Sequence, residues 1–436
     1  MKNTNNSALT KLNIWVHRLY GQIQSSIMTF GINNGYFISL GAALFSVLKL
    51  VVPGFLCGWG SLIYDINTWW PIAITIFSTG FTTIASIVKY KNSSYRFSII
   101  QDGFYKNKVI GNIKLSEKQI ANGYSIKSFY NGVSEEKYII SDDINLKLIR
   151  NQDLKVNKLN FKFQLADEIK KYVPSVLKRN FMSDRIIFNG KLIRMASDLF
   201  MDSESINIQN VRYFEGQCTN EIVYKQIKSN FSLGPLFSGE RLLFNEENVL
   251  YDLELSLCAN YIGASTLVIT KDNYIIIGKQ GDFSRANAGR YAPSGSGSVS
   301  YKDLKSSGNF SSLVINAMER EFREENNYVK AKKMKTTIVG YVRLLERGGK
   351  PDFFGISYID ENSSGLKNKI KKMELGITEE SLLIRKPDNL GIGDTLLQFC
   401  NTHIPERKIS IQLLILAELI KQYEQTIGPL KNGWCN

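Results

Sequence analysis

Histidine is nearly absent from this chain, whose 436 residues include only His17 and His403. A metal site built from several histidines and a histidine-based proton relay are therefore excluded. The cysteines are odd in number and have no CxxC spacing; they are Cys57, Cys218, Cys258, Cys400 and Cys435. Their distribution argues against a zinc ribbon and against a disulfide framework, and it suits a reducing compartment.

Acidic residues are outnumbered, with 40 Asp+Glu against 54 Lys+Arg, and the formal net charge is +14. This excess favours anionic partners such as nucleotides, nucleic acid or an acidic membrane surface, although a basic and inert surface would have the same composition. The length allows roughly two to three domains. A hydrophobic content of 44% is typical of a folded protein, but apolar residues are concentrated in the first ninety positions.

Two long apolar runs predict a transmembrane hairpin at residues 36–88. Tyr36–Gly58 has 23 residues with Lys49 as its only charge, and Trp69–Val88 has 20 residues with no charge. Crossing the hydrocarbon core takes about 20 helical residues. Lys and Arg flank the runs but are absent between them, which predicts a two-span protein of the cell membrane with both termini in the cytoplasm. The alternative is a helical hairpin buried in a globular core.

The N-terminal segment, residues 1–35, has Leu12, Val16, Leu19 and Ile23 on one helical face. The pattern predicts an amphipathic helix that lies on the lipid bilayer or packs on the cytoplasmic part. Within the hairpin, small residues recur at every fourth position, as they do in membrane helices that approach each other closely. The hairpin could therefore also mediate homo-oligomerisation.

Residues 95–255 predict an α+β middle region whose role the sequence does not indicate. Tyr95–Leu148 reads as short strands broken by turn motifs such as QDGF. Phe161–Val173 has the apolar spacing of a helix, which Pro174 should end. Asp184–Phe200 resembles a strand, a turn and a helix.

The C-terminal region, residues 256–436, has the order strand, glycine-rich loop, acidic helix and loop, with further strands downstream. Two β-branched runs joined by a turn motif predict a hairpin, and an apolar stripe near the end predicts a further helix. The predicted elements are the strands Ser265–Thr270, Tyr274–Ile277, Thr336–Leu345 and Phe353–Ile359 and the helices Ser311–Glu325 and Ile409–Ile420.

Three carboxylates share one face of the acidic helix. Glu321, Glu324 and Glu325 stand at i, i+3 and i+4, within an arc of roughly 100° on a helix. Carboxylates so placed repel one another unless a cation holds them, and oxygen ligands suit hard ions such as Mg²⁺ or Mn²⁺. The alternative is a solvated acidic face on which Arg320 and Arg323 pair with the glutamates.

The sequence REFREENNY at 320–328 resembles the second half of the Nudix hydrolase signature, G-x5-E-x7-R-E-U-x-E-E-x-G-U, where U is a bulky aliphatic residue. The resemblance implies a Nudix-type α/β/α sandwich with a mixed sheet. It implies that Glu324 and Glu325 are the principal metal ligands, that Glu321 completes the cluster and that Arg320 orients the carboxylates.

The first half of the signature differs. Ser312 stands at the position of the first glutamate and Ser306 at that of the first glycine. In the second half, Asn327 occupies the glycine position, and asparagine is the residue other than glycine that best adopts left-handed geometry after a helix.

The family chemistry implies attack of water on one of two linked phosphates, with charge neutralised by the metal. A carboxylate serves as general base, for which Glu325 and Glu346 are the candidates. The glycine-rich loop and its flanks offer residues that could contact phosphates or stack on a base or sugar. These candidate substrate-binding residues are Lys279, Arg285, Arg290, Phe283 and Tyr291, each of which could equally be a solvated loop residue.

The first functional hypothesis is a membrane-anchored Nudix-type hydrolase that cleaves a nucleoside diphosphate linked to another moiety. The alternative is a sensor whose Nudix-type domain binds a nucleotide signal and whose hairpin oligomerises to perturb the membrane, a layout that resembles effectors of bacterial antiphage systems. A third option leaves signal binding to the middle region and makes the Nudix-type domain a scaffold. In each case a nucleotide-derived small molecule is the expected partner, and no nucleic acid is expected.

Overall fold

The computed structural model describes Tyr20, Gly21, Gln24, Ser25, Met28 and Tyr328, together with residues 93–130, 135–150, 153–182, 189–231, 235–281, 289–326, 333–366, 378–406 and 408–429. None of the described helices is both long enough and apolar enough to cross a membrane. The predicted spans at 36–88 and most of the predicted N-terminal amphipathic helix lie outside the described residues.

The described residues contain fifteen strands and eleven α-helices. In chain order the strands are β1 (Phe97–Ile100), β2 (Ser125–Tyr130), β3 (Glu135–Ile140), β4 (Lys155–Lys158), β5 (Lys191–Met195), β6 (Ser205–Arg212), β7 (Gln226–Ser229), β8 (Pro235–Ser238), β9 (Gly263–Ile269), β10 (Tyr274–Gln280), β11 (Tyr291–Pro293), β12 (Gly295–Ser298), β13 (Met334–Leu344), β14 (Lys350–Ile359) and β15 (Thr378–Arg385). The helices are α1 (Gly103–Gly111), α2 (Glu117–Ala121), α3 (Asp142–Arg150), α4 (Asp167–Lys170), α5 (Val173–Met182), α6 (Tyr213–Gln217), α7 (Tyr301–Leu304), α8 (Phe310–Glu325), α9 (Ser363–Leu366), α10 (Ile392–His403) and α11 (Ile411–Ile427).

The chain forms two compact units, and the first comprises Met1–Ile100, Leu165–Asn189 and Gln226–Phe237. Its described part has a sheet of order β1-β7-β8 and the helices α4 and α5. Tyr172 packs edge-on against Phe97, with ring centroids 4.9 Å apart, and lies 5.7 Å from the ring of Phe237. This aromatic group joins the helical segment to two of the strands.

The second unit contains a mixed sheet of nine described strands. Its order is β11-β10-β9-β14-β13-β3-β2, with β12 paired to β9 and β15 paired to β10. All pairs are antiparallel except β9 with β14, which run parallel from Gly263 opposite Asp352 to Ile269 opposite Tyr358. Two strands of the middle region, β2 and β3, therefore extend the sheet that the C-terminal strands begin. The described part of this unit also has a three-stranded sheet, β4-β6-β5.

Helices cover both faces of the large sheet, which makes the second unit a layered α/β structure. Along β9 the side chains alternate, so that Leu267 and Ile269 join a core with α10 and α11 while Val268 packs with Phe322 of α8. This period of two is the geometric consequence of the pleat. The carboxylate-bearing helix and the C-terminal helical pair thus lie on opposite faces.

The predicted C-terminal elements are confirmed as β9, β10, α8, β13, β14 and α11. Their turns have the residues that the backbone requires: Asn273 has a φ of 60° between β9 and β10, and Gly348 and Gly349 have φ values of 62° and 68° before β14. Asparagine and glycine tolerate this left-handed region best.

Three predictions for the middle region are wrong in detail. The QDGF motif does not form a turn between strands, because the Asp102 side chain accepts a hydrogen bond from the Phe104 N–H and caps α1. Pro174 does not end a helix but lies in the first turn of α5, where its missing N–H has no helical partner to lose. The helix predicted before Phe200 is absent, since the described chain after β5 has no regular element until β6.

Candidate functional site

The helix α8 begins with a reciprocal cap and ends with an asparagine. Asn309 Oδ1 accepts a bond of 2.8 Å from the Ser312 N–H, and Ser312 Oγ accepts one of 3.0 Å from the Asn309 N–H. At the other end Asn326 Nδ2 donates to the Ser294 carbonyl at 2.7 Å. One face of the helix is apolar and packs on the sheet through Phe310, Leu313, Val314, Ala317, Met318 and Phe322. The opposite face is thereby left to the charged residues of the last turns.

Two glycines of β12 let the end of α8 approach the sheet closely. A Cβ on Gly295 would lie 2.7 Å from the Phe322 backbone nitrogen, and one on Gly297 would lie 2.1 Å from Glu321 Cδ. No side chain fits in either position without displacement of its neighbour. The glycine and serine run that the sequence presents as a loop is therefore the strand on which the acidic end of α8 rests.

Arg320 organises the charged residues at this end of the helix. Its Nε and Nη2 donate to the two carboxylate oxygens of Asp303 at 2.8 and 3.0 Å, and Nη2 also donates to the Ser298 carbonyl at 3.0 Å. Its Nη1 donates to Glu321 at 2.8 Å and to Glu324 at 3.0 Å. All five guanidinium donors are thus satisfied, in the fork geometry for which arginine is suited.

Asp303 is the functional candidate that the sequence reading missed. It is 4% exposed, and its Oδ2 also accepts bonds from the N–H of Ser300 at 2.7 Å and from the Ser300 hydroxyl at 2.9 Å. Ser312, at the position of the family's first glutamate, belongs to the cap at the start of α8, about 12 Å along the helix from Arg320. The S-x-x-D capping motif of Ser300 and Asp303 was the available signal, but it predicts a helix start and not the long-range partner.

The carboxylates of α8 differ in their surroundings. Glu325 accepts a bond of 3.3 Å from the Ser296 N–H, and its pKa is raised well above the usual range by burial and then by the nearby Glu321. Burial also raises the pKa of Glu321, against the opposing effect of Arg320. Glu324 is the exposed member, with 55% of its side chain accessible. Glu321, Glu324, Glu325 and Asp303 bring four carboxylates to this end of the helix, against the one guanidinium of Arg320.

Such an excess of negative charge on carboxylate oxygens suits Mg²⁺ or Mn²⁺, because these cations carry positive charge and prefer hard oxygen ligands. Glu321 and Glu324 both contact one cationic nitrogen, Arg320 Nη1, so their oxygens already lie around a common positive centre. Within the described ranges no three Asp, Glu, His or Cys side chains are placed around a single point as metal ligands. A bound cation would thus require Glu321 and Glu324 to turn away from Arg320.

Glu346, the other candidate general base, lies in a different environment. It follows β13 in a 3₁₀ turn, pairs with the Lys106 ammonium and accepts a bond of 3.3 Å from the Lys137 N–H. Burial raises its pKa, and Lys106 opposes that effect. Among the described contacts it has none with Glu321 or Glu325.

The described substrate-binding candidates lie at the β10–β11 hairpin. Lys279 of β10 is opposite Tyr291 of β11, whose ring packs on Phe399 with centroids 5.3 Å apart. Arg290 lies 3.7 Å from the Glu136 carboxylate. Phe283 and Arg285 belong to residues 282–288, which lie outside the described residues. Asn327 also lies outside them.

A second group of charges is buried where β9 and β14 begin. Lys350 and Asp352 are each 3% exposed, and Asp352 Oδ1 has no hydrogen-bond partner among the described residues. Burial lowers the pKa of Lys350 to about 8. Both side chains lie over Gly263, where an added Cβ would meet Asp352 Oδ1 at 1.8 Å and Lys350 Nζ at 2.6 Å.

No protein-family model matches the chain, and no curated protein matches it. Part of the chain overlaps with solved structures, among them the following three. The protein DR0079 of Deinococcus radiodurans has 12% identity and a TM-score of 0.25 over 40% of this chain and 95% of its own. Tm1382, provisionally described as a Nudix hydrolase, has 14% identity and a TM-score of 0.24 over 37% of this chain and 70% of its own.

The third overlap is with a bifunctional NMN adenylyltransferase/ADP ribose pyrophosphatase of Francisella tularensis, complexed with AMP and a manganese ion. It has 16% identity and a TM-score of 0.24 over 37% of this chain and 42% of its own.

Proposed function

We propose that the chain is a membrane-anchored hydrolase of Nudix type that uses a divalent cation to cleave a nucleoside diphosphate linked to another moiety. Mg²⁺ or Mn²⁺ would be held by Glu321, Glu324 and Glu325 and would neutralise charge on the linked phosphates as water attacks.

The arrangement around Arg320 carries the proposal. A solvated acidic face would leave its glutamates pointing into water, with arginines on the same helix as their only partners. Here Arg320 is held from outside the helix by Asp303 and the Ser298 carbonyl, and β12 has glycine where any side chain would strike Glu321. Groups held in this way from several elements are typical of a site that needs fixed geometry.

Within the site, Glu325 is the candidate general base. Burial raises the pKa of its carboxyl well above the usual range, and a general base must be a carboxylate that can accept a proton during the reaction. The Ser296 N–H keeps the carboxylate oriented towards β12. Glu346 remains a second candidate, although its ion pair with Lys106 must open before it could accept a proton.

The test uses the full chain in detergent or in a lipid nanodisc. It is incubated with Mg²⁺ or Mn²⁺ and a panel of dinucleotides, sugar nucleotides and cyclic nucleotides, and mononucleotide release is measured beside Glu324→Gln plus Glu325→Gln. Glu319→Gln is the matched control, because Glu319 is on the same helix but bonds to Thr336 at 3.0 Å. We expect metal-dependent release that the double variant loses and the control keeps.

Tight nucleotide binding without product would contradict the hydrolase and would favour the sensor alternative, in which binding drives oligomerisation of the hairpin. The anchoring part has its own test, since it depends on the two apolar runs in 36–88. We expect the full chain to sediment with membranes and to resist extraction by high salt. We also expect an N-terminal and a C-terminal tag to be labelled only from the cytoplasmic side.

A further inference from the structure

The guanidinium of Arg320 is largely buried, with 20% of its side chain exposed, and a buried charge needs partners. Its hydrogen bonds fall into two groups. The two from Nη1 go to Glu321 and Glu324, the glutamates that the proposed function assigns to a metal. The other three go to Asp303 and to the Ser298 carbonyl, neither of which belongs to that set.

The two groups of bonds allow an exchange. When a divalent cation takes the carboxylates of Glu321 and Glu324, Nη1 loses its acceptors while Nε and Nη2 keep theirs. The charge of Arg320 remains compensated by the Asp303 carboxylate through a bidentate pair. Without Asp303, the same exchange would leave a buried guanidinium with a single carbonyl, a costly state that would oppose metal binding.

Asp303 is itself held in place before any ligand arrives. Its Oδ2 caps α7 by accepting from the N–H and the hydroxyl of Ser300, and its backbone carbonyl accepts from the Ser306 hydroxyl at 3.3 Å. Its aspartate side chain is short and nearly fully buried, so few other conformations are accessible to it.

We propose that Asp303 is a positioning residue that retains Arg320 while Glu321 and Glu324 exchange the guanidinium for a divalent cation. The inference depends on the proposed function for the identity of the metal ligands. It gives the role of retaining Arg320 to a residue 17 positions earlier in the chain, on a separate short helix.

The experiment measures Mn²⁺ binding to the full chain in detergent, from the electron paramagnetic resonance signal of free Mn²⁺, without substrate. We expect Asp303→Asn to weaken Mn²⁺ binding by about 10- to 100-fold and Asp303→Glu to recover part of the loss. Adding Ser312→Glu to Asp303→Asn should restore nothing, because position 312 lies about 12 Å along the helix from Arg320.

A double-mutant cycle separates positioning from a merely structural role. If Asp303 acts through Arg320, Asp303→Asn should weaken Mn²⁺ binding little further in a chain that already carries Arg320→Gln. If Asp303→Asn instead damages the fold in general, its loss of Mn²⁺ affinity should add to the loss caused by Arg320→Gln. Thermal unfolding of each variant identifies any that fails to fold, and Asp303→Glu keeps the test decisive if Asp303→Asn does.

The inference is overturned if a folded Asp303→Asn variant binds Mn²⁺ with wild-type affinity, or if Ser312→Glu restores the affinity that Asp303→Asn loses. It is also overturned if the wild-type chain does not bind Mn²⁺. If the wild-type chain binds Mn²⁺ in the expected pattern but hydrolyses no nucleotide, the inference stands and the proposed hydrolase fails. If it hydrolyses nucleotide but Asp303→Asn binds Mn²⁺ normally, the inference alone fails.

Discussion

Replacing Gly297 by alanine should displace the Glu321 carboxylate and little else. The new Cβ would lie 2.1 Å from Glu321 Cδ and 2.2 and 2.3 Å from its two oxygens. Carbon atoms in contact are normally about 3.5–4.0 Å apart, so the carboxylate must move by roughly 1.5 Å. A misplacement of about 1 Å in a catalytic constellation can cost about a hundredfold in rate. We expect a loss of that order in metal-dependent turnover and a parallel loss of Mn²⁺ affinity.

The stability of the Gly297→Ala variant should change little, because the clash is with the end of a flexible side chain and the φ of Gly297 is accessible to alanine. Because the Glu321 side chain can move aside, the overpacking cost should lie at the low end of the usual range of about 1–3 kcal/mol, and the roughly 0.5–1 kcal/mol by which alanine is favoured over glycine in a regular element offsets most of it. Gly308→Ala is the matched control, since an added Cβ there meets nothing within 4 Å. A folded Gly297→Ala protein with wild-type Mn²⁺ affinity and turnover would refute the assignment of Glu321 to the site.

Three further predictions concern the surrounding structure. Lys350 has a pKa of about 8 in the folded chain, against an ordinary value of 10.5. Between these two pH values the unfolded state binds more protons than the folded state. The free energy of unfolding should therefore rise with pH from about 8 to 10.5, by at most about 3 kcal/mol. In Lys350→Met that rise should disappear, as measured by urea unfolding at both ends of the window. Asn309→Ala should cost about 1 kcal/mol through loss of the α8 cap and Asn309→Ser much less, which thermal unfolding can compare. Gly263→Ala should destabilise the chain by about 1–3 kcal/mol, because its Cβ would strike the buried Asp352. Gly190→Ala is the control, because its Cβ would meet open space and should not destabilise the chain. Equal melting temperatures for the two variants would contradict the described packing.

The electrostatics of the site follow from the number of charges that one helix end collects. Glu321, Glu324 and Asp303 pair with a single arginine, and Glu325 adds a further carboxylate, so the group as a whole is negative although the chain is strongly basic. Burial then raises the pKa of Glu321 and Glu325, because the charged form of each is poorly solvated and surrounded by like charge. A cation would relieve both effects, which is why Mn²⁺ binding is the common readout of the tests proposed for this site.

Elements whose pattern is local could be predicted from the sequence. The β-branched runs of β9 and β10 and the period of α8 are set by neighbours within a few residues, and the structure confirms them. The same reasoning failed at Pro174 and at QDGF for a physical reason. Proline is compatible with a first helical turn as well as with a helix end, and an Asp before glycine can cap a helix as readily as it can form a turn.

The shared helical face of Glu321, Glu324 and Glu325 was likewise readable, because their spacing on a helix requires no knowledge of the rest of the fold. The partners of the charged residues at this helix end could not be predicted from the sequence. The contact between Arg320 and Asp303 depends on how the loop after α7 returns to the end of α8, and no local pattern encodes that path. Similarly, only the pairing of β12 with β9 turns a glycine and serine run into a surface for Glu321.

By itself, then, the sequence determined the order of the C-terminal elements, the shared face of the α8 glutamates, and the two apolar runs that predict a membrane hairpin. These features depend on residue type and on spacing within one element. The tertiary structure alone decided that β2 and β3 complete the C-terminal sheet, that Asp303 and not Ser312 holds Arg320, and that Glu346 pairs with Lys106. Each of these depends on contacts between residues distant in the chain, whose energies are decided by burial and charge once the whole unit has packed.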